Sequence, residues 1–204
     1  WMNDWKQKLQ EFEQVQITLS NLSDSEQTLR LWGANQGLDL GSNTVVIPTG
    51  SYPQALVFNL FNQFFYVANQ LGNDVTIFDS TGTTISTVQL EPSFSGFTSP
   101  AALTVNPFNG DVYVAGSIRN TIYAINTAFE VGMELKVVNR PIALSFNPFN
   151  SFLYVTHLLS NTVSVIDPSS KAIIANLITE TDPIAIITRE FDGSVYILNQ
   201  GSDS

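Results

Sequence analysis

The 204 residues contain no cysteine, which excludes disulfide cross-links, thiolate metal sites and cysteine nucleophiles. Charge is scarce: Asp, Glu, Lys and Arg make up 13% of the chain, about half the usual share for a soluble domain. Basic residues are scarcer still, eight against eighteen acidic ones, for a formal charge of −10. A nucleic-acid binder needs a basic stripe to displace phosphate counterions, and none exists, so no nucleic-acid partner is expected. Anionic membrane surfaces are disfavoured on the same ground. No apolar run approaches the ~20 residues of a membrane helix, so no direct insertion is expected. Gly41, Gly50 and Gly110 are isolated turn glycines rather than a phosphate-binding loop. With 44% apolar residues and few charges, Ser, Thr, Asn and Gln must form most of the surface. That polar-neutral surface is common in secreted, cell-surface and particle-coat proteins, so the expected location is extracellular, on a cell or on a virion, with the periplasm as the alternative.

What is present is a repeat. Tyr66-Val67-Ala68-Asn69 returns as Tyr113-Val114-Ala115-Gly116, Tyr154-Val155-Thr156-His157 and Tyr196-Ile197-Leu198-Asn199, the tyrosines 47, 41 and 42 residues apart. A fixed period near 40 means one supersecondary unit that buries its faces only against its neighbours. Each unit opens on a proline (Pro53, Pro100, Pro141, Pro183) followed by a short apolar run. A turn then follows: Asn59-Leu60-Phe61-Asn62, Asn106-Pro107-Phe108-Asn109, Asn147-Pro148-Phe149-Asn150 and the drifted Arg189-Glu190-Phe191-Asp192. The Tyr strand comes next, then a second turn, a third β-branched run (Val75–Phe78, Thr121–Ile125, Thr162–Ile166), and a looser fourth strand near 83–89, 132–138 and 172–178. Four short strands in about 40 residues is the composition of a propeller blade. The fold class expected is therefore all-β, a β-propeller of four-stranded blades at 51–90, 98–138 and 139–179, with a partial blade at 181–204.

The third unit carries a resemblance. Pro141-Ile142-Ala143-Leu144-Ser145-Phe146-Asn147-Pro148, then Tyr154-Val155-Thr156-His157, then Ser160-Asn161-Thr162-Val163-Ser164-Val165-Ile166-Asp167 resembles the YVTN-type β-propeller repeat, whose relatives include surface-layer proteins and lactonase-like enzymes. The resemblance covers 44–199 and implies the fold; it is poor for function, since a repeat scaffold carries its activity on loops and rims. Thr44–Gly50 is similar to the end of a preceding repeat. Ring closure has two readings: a four-bladed ring completed by strands from the N-terminal segment, or part of a longer propeller.

Residues 1–43 read as a separate attachment segment before repeats at 44–204. Trp1, Trp5, Leu9 and Phe12 share one helical face, and so short a helix must bury that stripe against something. Packing on its own propeller is one option, and docking on another subunit is the other. A hairpin is expected from Ile17-Thr18-Leu19 and Leu29-Arg30-Leu31, and 34–42 reads as a loop.

Chemistry is sparse. His157, the single histidine, stands where sister repeats have Asn69, Gly116 and Asn199, a position for structure rather than for a base. Nothing marks a nucleophile elbow, and no calcium pattern appears. Asp79, Asn126 and Asp167 end equivalent strands and are expected to accept backbone N–H bonds in the next turn; Asp74, Asp111, Asp182 and Asp192 are assigned to turns. No cofactor and no metal are expected. Interaction is expected at the turns 70–74, 117–120 and 158–161 and in the insertion 90–99, with Arg119, His157, Phe94 and Phe97 as named residues beside the N-terminal stripe. The functional reading is a non-catalytic structural or recognition propeller with a protein partner, a larger assembly or a surface glycan; the alternatives are a lactonase-like hydrolase and a periplasmic ligand-binding propeller.

Overall fold

A computed structural model describes residues 15–20, 28–33, 44–90 and 97–201. The aromatic stripe Trp1, Trp5, Leu9 and Phe12 and the insertion residue Phe94 lie outside these residues. The chain divides into two compact units, Trp1–Thr49 and Gly50–Ser204. In the first, β1 (Val15–Ser20), β2 (Thr28–Gly33) and β3 (Thr44–Pro48) form an antiparallel meander in chain order. The expected hairpin is there, with Ile17 opposite Leu31 and Leu19 opposite Leu29. Thr44–Pro48 is the outer strand of this sheet, paired to β2 from Thr44 to Pro48.

The second unit consists of the repeats. The first blade is β4 (Pro53–Asn59), β5 (Phe64–Asn69), β6 (Asp74–Phe78) and β7 (Thr84–Gln89). The second is β8 (Pro100–Val105), β9 (Val112–Gly116), β10 (Thr121–Ile125) and β11 (Val131–Lys136). The third is β12 (Pro141–Asn147), β13 (Phe152–His157), β14 (Thr162–Asp167) and β15 (Ala172–Ile178). Each is a four-stranded antiparallel sheet in chain order. The last pair, β16 (Pro183–Thr188) and β17 (Val195–Asn199), makes a two-stranded sheet of its own. The strands proposed above to complete a fourth blade are therefore the strands of the separate three-stranded sheet.

The sequence period of two has an unusual meaning here, because both faces of an inner blade are buried. Val112, Val114, Tyr123 and Ile125 of the second blade pack with Tyr66 and Ile77 of the first. Their alternates Tyr113, Ala115, Ile122 and Ala124 pack with Phe146 and Val155 of the third. β9 and β10 are thus buried along their whole length, which explains their unbroken apolar runs. The outer strand β11, by contrast, alternates exposed and covered positions. A propeller core is this stack of sheet-to-sheet interfaces.

Two sets of turns hold the blades in register. At one end, the side-chain oxygens of Asn59, Asn106 and Asn147 accept from the backbone N–H of Phe61, Phe108 and Phe149 at 3.0, 3.0 and 2.9 Å. Asn59 and Asn147 also donate to the carbonyls of Gly110 and Gly193 in the following blades, both at 2.8 Å. Gly110, at φ +77°, lies so close under Phe61 that a Cβ there would meet the ring at 2.7 Å. In the fourth unit Arg189 replaces this asparagine and pairs with Asp192 instead. The asparagines and aspartates that close the third strands behave as expected. Asp79 accepts from the N–H of Thr81 and Thr83, Asn126 from Ala128 and Glu130, and Asp167 from Ser169. These bonds hold the carboxyls of Asp79 and Asp167 below the usual range, led by the Thr81 and Ser170 hydroxyls respectively. Asp74 is a correction: it opens β6 rather than sitting in the turn, buried and accepting from Asn69 Nδ2 at 2.5 Å.

Candidate functional site

The opposite end carries the turns named from sequence. Asn73, Asn120 and Asn161, all with positive φ near 50–56°, are in a conformation that asparagine adopts more readily than most residues. Each side-chain oxygen accepts from the backbone N–H of the residue that precedes the next blade's proline. The bonds are Asn73 to Ser99 at 3.1 Å, Asn120 to Arg140 at 2.7 Å and Asn161 to Asp182 at 3.0 Å. Those pre-proline residues are themselves left-handed, at φ 54–55°, and so is Tyr52 at φ 59°. The carbonyls of Tyr52, Ser99, Arg140 and Asp182 accept from Gln70, Ser117, Leu158 and Gln200 in the same fourfold pattern, at 2.8–3.1 Å. This end of the repeats is a lattice of backbone positions fixed by asparagine and proline.

Between the first, second and third blades that lattice leaves a cleft of about 370 Å³. Gln70, Ser99 and Ser117 line it as a connected row. Gln70 Nε2 donates to Ser99 Oγ at 3.0 Å, and Ser117 Oγ donates to the Ser99 carbonyl at 3.1 Å. Asn120, Asn139 and Arg140 complete the polar lining. Two exposed aliphatic side chains, Ile118 and Leu159, supply its apolar part. Among the described residues no carboxylate lines it. The Arg140 guanidinium makes no ion pair among the described residues, in a chain whose acids outnumber its bases by eighteen to eight.

His157 is not at a surface. It is fully buried, at the end of β13, with Nε2 2.8 Å from Ser164 Oγ. Ser164 in turn donates to Asn176 Oδ1 at 2.6 Å, so its oxygen is left to accept from the ring. Nδ1 has no hydrogen-bond partner of good geometry among the described residues. Burial lowers the ring's pKa to about 4, against an opposing pull from the Val138 backbone. The sister positions show what this site is for. Asn69 Nδ2 donates to Thr76 at 2.9 Å, seven residues on, just as His157 meets Ser164. In the second blade the pair is Gly116 and Tyr123, and a Cβ on Gly116 would meet the Tyr123 ring at 2.9 Å. A small residue on one strand is matched by a large one on the other, and the space is filled each time.

Arg119 lies in the β9–β10 turn, half-buried, and is not part of the cleft lining; its carbonyl accepts from Thr121 Oγ1 at 3.0 Å. Phe97 is 57% exposed and also outside the lining. The turns named from sequence contribute Gln70, Ser117, Ile118, Asn120 and Leu159 to this cleft, but the sequence did not single out Gln70, Asn120, Asn139 and Arg140 as a group. The signal was present in the asparagine repeated at 73, 120 and 161. A smaller cavity of about 150 Å³ lies between the second and third blades at the other end, beside Asp111 and Tyr113. Burial pushes the Asp111 carboxyl up and the Tyr113 hydroxyl up to about 12. Lys171, the cation there, is engaged with the Gly132 carbonyl at 3.0 Å.

A search of curated proteins returned no match. Among solved structures, the chain resembles hydrazine synthase of Kuenenia stuttgartiensis, with a TM-score of 0.67 at 19% identity over 80% of this chain and 46% of that one. A functionally unknown protein of Desulfotomaculum acetoxidans DSM 771 gives a TM-score of 0.70 at 19% identity over 90% and 59%. Virginiamycin B lyase of Staphylococcus aureus gives 0.65 at 15% identity over 92% and 70%. At these identities the likeness shows the fold, and the chain spans about half the length of the first two (46% and 59%). The family model for the lactonase, seven-bladed β-propeller matches residues 24–173, well over half of the chain, and the chain belongs to that family.

Proposed function

We propose that this chain is a recognition module, a β-propeller that binds a polar ligand or the polar end of a partner in the cleft beside Arg140. The observation that carries this reading is the chemistry of the lining: amides, hydroxyls and one guanidinium. These groups donate and accept hydrogen bonds and orient a ligand, but none of them takes up and returns a proton near pH 7. A cleft of about 370 Å³ falls within the size range of small-molecule sites. The polar-neutral surface supports a setting on a cell, a secreted protein or a virion, where a glycan or protein partner would be met. Amide NMR with panels of neutral and acidic sugars and short peptides tests the reading. The expected result is selective shifts of the Gln70, Asn120 and Asn139 side-chain amides; shifts absent from all three would overturn it.

Lactone hydrolysis is the second reading, favoured by the family to which the chain belongs. It predicts proton release on adding a lactone, read in a pH-stat. Its catalytic group would not be His157, since a buried ring has no path to a substrate. Turnover unchanged by His157→Asn and abolished by substitutions in the cleft would replace the recognition reading with this one.

A further inference from the structure

We infer that the cleft selects a carboxylated sugar, a hexuronate, with Arg140 as the group that reads the carboxylate; this rests on the recognition reading above and names the ligand class of the same site. The four pre-proline positions allow a comparison inside one molecule. Tyr52, Ser99, Arg140 and Asp182 adopt the same left-handed backbone, with φ between 54° and 59°. The backbone therefore makes no demand for arginine: an aromatic, a hydroxyl and an acid all serve. Among the described residues the Arg140 side chain makes no hydrogen bond or ion pair. What the fold does give it is a fixed origin. Its N–H is held by Asn120 Oδ1 at 2.7 Å, its carbonyl by Leu158 N at 3.1 Å, and Pro141 follows. An arginine on a pinned backbone, lining a cleft without carboxylates among its described residues, offers a guanidinium for a planar, two-oxygen anion, which it meets with two parallel N–H bonds.

The rest of the lining selects the body of the ligand. Gln70, Ser117, Asn120 and Asn139 offer both donors and acceptors, as vicinal hydroxyls require. Ile118 and Leu159, 64% and 65% exposed, offer an apolar surface to the C–H face of a pyranose ring. An aliphatic acid would use none of the hydrogen-bonding capacity that these amides keep beyond their bonds to one another and to Ser99 and Arg140, and a neutral sugar would leave the guanidinium without a partner. An acidic peptide could pair with the same groups, but its carboxylate rides on a flexible side chain, whereas a hexuronate carries its carboxylate and hydroxyls on one rigid ring, which loses less freedom on binding. A hexuronate answers both sets at once.

The experiment is isothermal titration of the protein with methyl glucuronoside, methyl glucoside, acetate and an acidic hexapeptide, repeated with Arg140→Gln and Arg140→Lys. Thermal melting of each variant checks that the fold is kept; Gln at a position where Tyr, Ser and Asp already occur leaves it intact. The expected result is that glucuronoside binds at least about tenfold more tightly than glucoside. Arg140→Gln removes that preference, and Arg140→Lys retains only part of it, because an ammonium lacks the planar fork. Glucoside binding as tightly as glucuronoside, or a preference untouched by Arg140→Gln, would overturn the inference while leaving recognition at the cleft standing. Preference for the acidic peptide would also overturn it, in favour of a protein partner. No binding of any probe, with no NMR shifts at the cleft, would remove both.

Discussion

The tyrosine that opens each repeat motif keeps one place in the repeat and differs in its burial, with Tyr154 of the third blade intermediate. Tyr66 and Tyr113 are 0% and 1% exposed, whereas Tyr196, in the same position of the two-stranded sheet, is 52% exposed. Tyr113 stacks on Phe146 of the next blade at 6.1 Å. Ile187 and Leu198, beside Tyr196 on β16 and β17, are likewise exposed. The position in the repeat is the same; over Tyr113 lies the third blade, through Phe146 and Val155. In a propeller the pattern along a strand encodes two faces, but burial of each face is conferred by a neighbouring sheet.

Breaking that comparison gives the largest expected effect. Tyr113→Ala should destabilise the protein by about 3–5 kcal/mol, the range for emptying a large aromatic site in a packed core. In the 204-residue chain Tyr196→Ala should cost less than about 1 kcal/mol, since Tyr196 is half exposed there. Urea midpoints of the two variants measure the difference directly, and equal losses would mean that Tyr196 is covered in the native protein.

The second effect is electrostatic and distinguishes the third blade from the first. His157 is held neutral by burial, with a pKa of about 4 against about 6.5 unfolded. Between those values the unfolded chain binds a proton that the native one does not, so stability is full above pH 6.5 and falls as pH drops towards 4. The loss reaches at most about 3 kcal/mol, because each tenfold difference in proton affinity between the two states is worth about 1.4 kcal/mol. His157→Asn, which copies Asn69 of the first blade, should flatten the stability profile across that window. Unfolding midpoints at pH 7.5 and 4.5 check it.

A third test targets the matched pairs. Gly116→Asn alone forces a side chain into the Tyr123 ring and should cost about 1–3 kcal/mol through overpacking. Combined with Tyr123→Thr, which recreates the Asn69 and Thr76 pair of the first blade, the loss should fall short of the sum of the single variants by about 1 kcal/mol. An additive cycle would mean that the two positions do not share one space. The smallest effect belongs to the turn lattice. Asn120→Gly keeps the left-handed backbone but deletes the acceptor for Arg140 N–H, for a loss of about 1 kcal/mol. Its NMR signature is a shift of the Arg140 amide, with the Asn73 and Asn161 turns unmoved.

The blades were legible because turn chemistry and strand composition are local. Asn and Pro at the turns and β-branched runs between them set four strands per unit, and the strands fall where that pattern places them. The cleft was less legible. The turns at 70–74, 117–120 and 158–161 were readable as one end of the sheets. The convergence of Gln70, Asn120 and Arg140 was not, because they belong to three different segments brought together by blade packing. Arg119 and Arg140 are equally prominent as sequence. Their places in the fold separate them: Arg140, between two blades, lines the cleft, and Arg119, in a turn within one blade, does not.

What the sequence by itself determined is the strand count, the repeat period and the residues able to hold left-handed turns, since each depends on neighbours within a few positions. The tertiary structure alone decided which face of each strand is covered, that His157 is a neutral core residue, and that the Arg140 guanidinium shares a cleft with a row of amides and hydroxyls. Those outcomes depend on sheets about 40 residues apart in sequence meeting in space, and burial, desolvation and convergence are properties of that meeting rather than of any one strand.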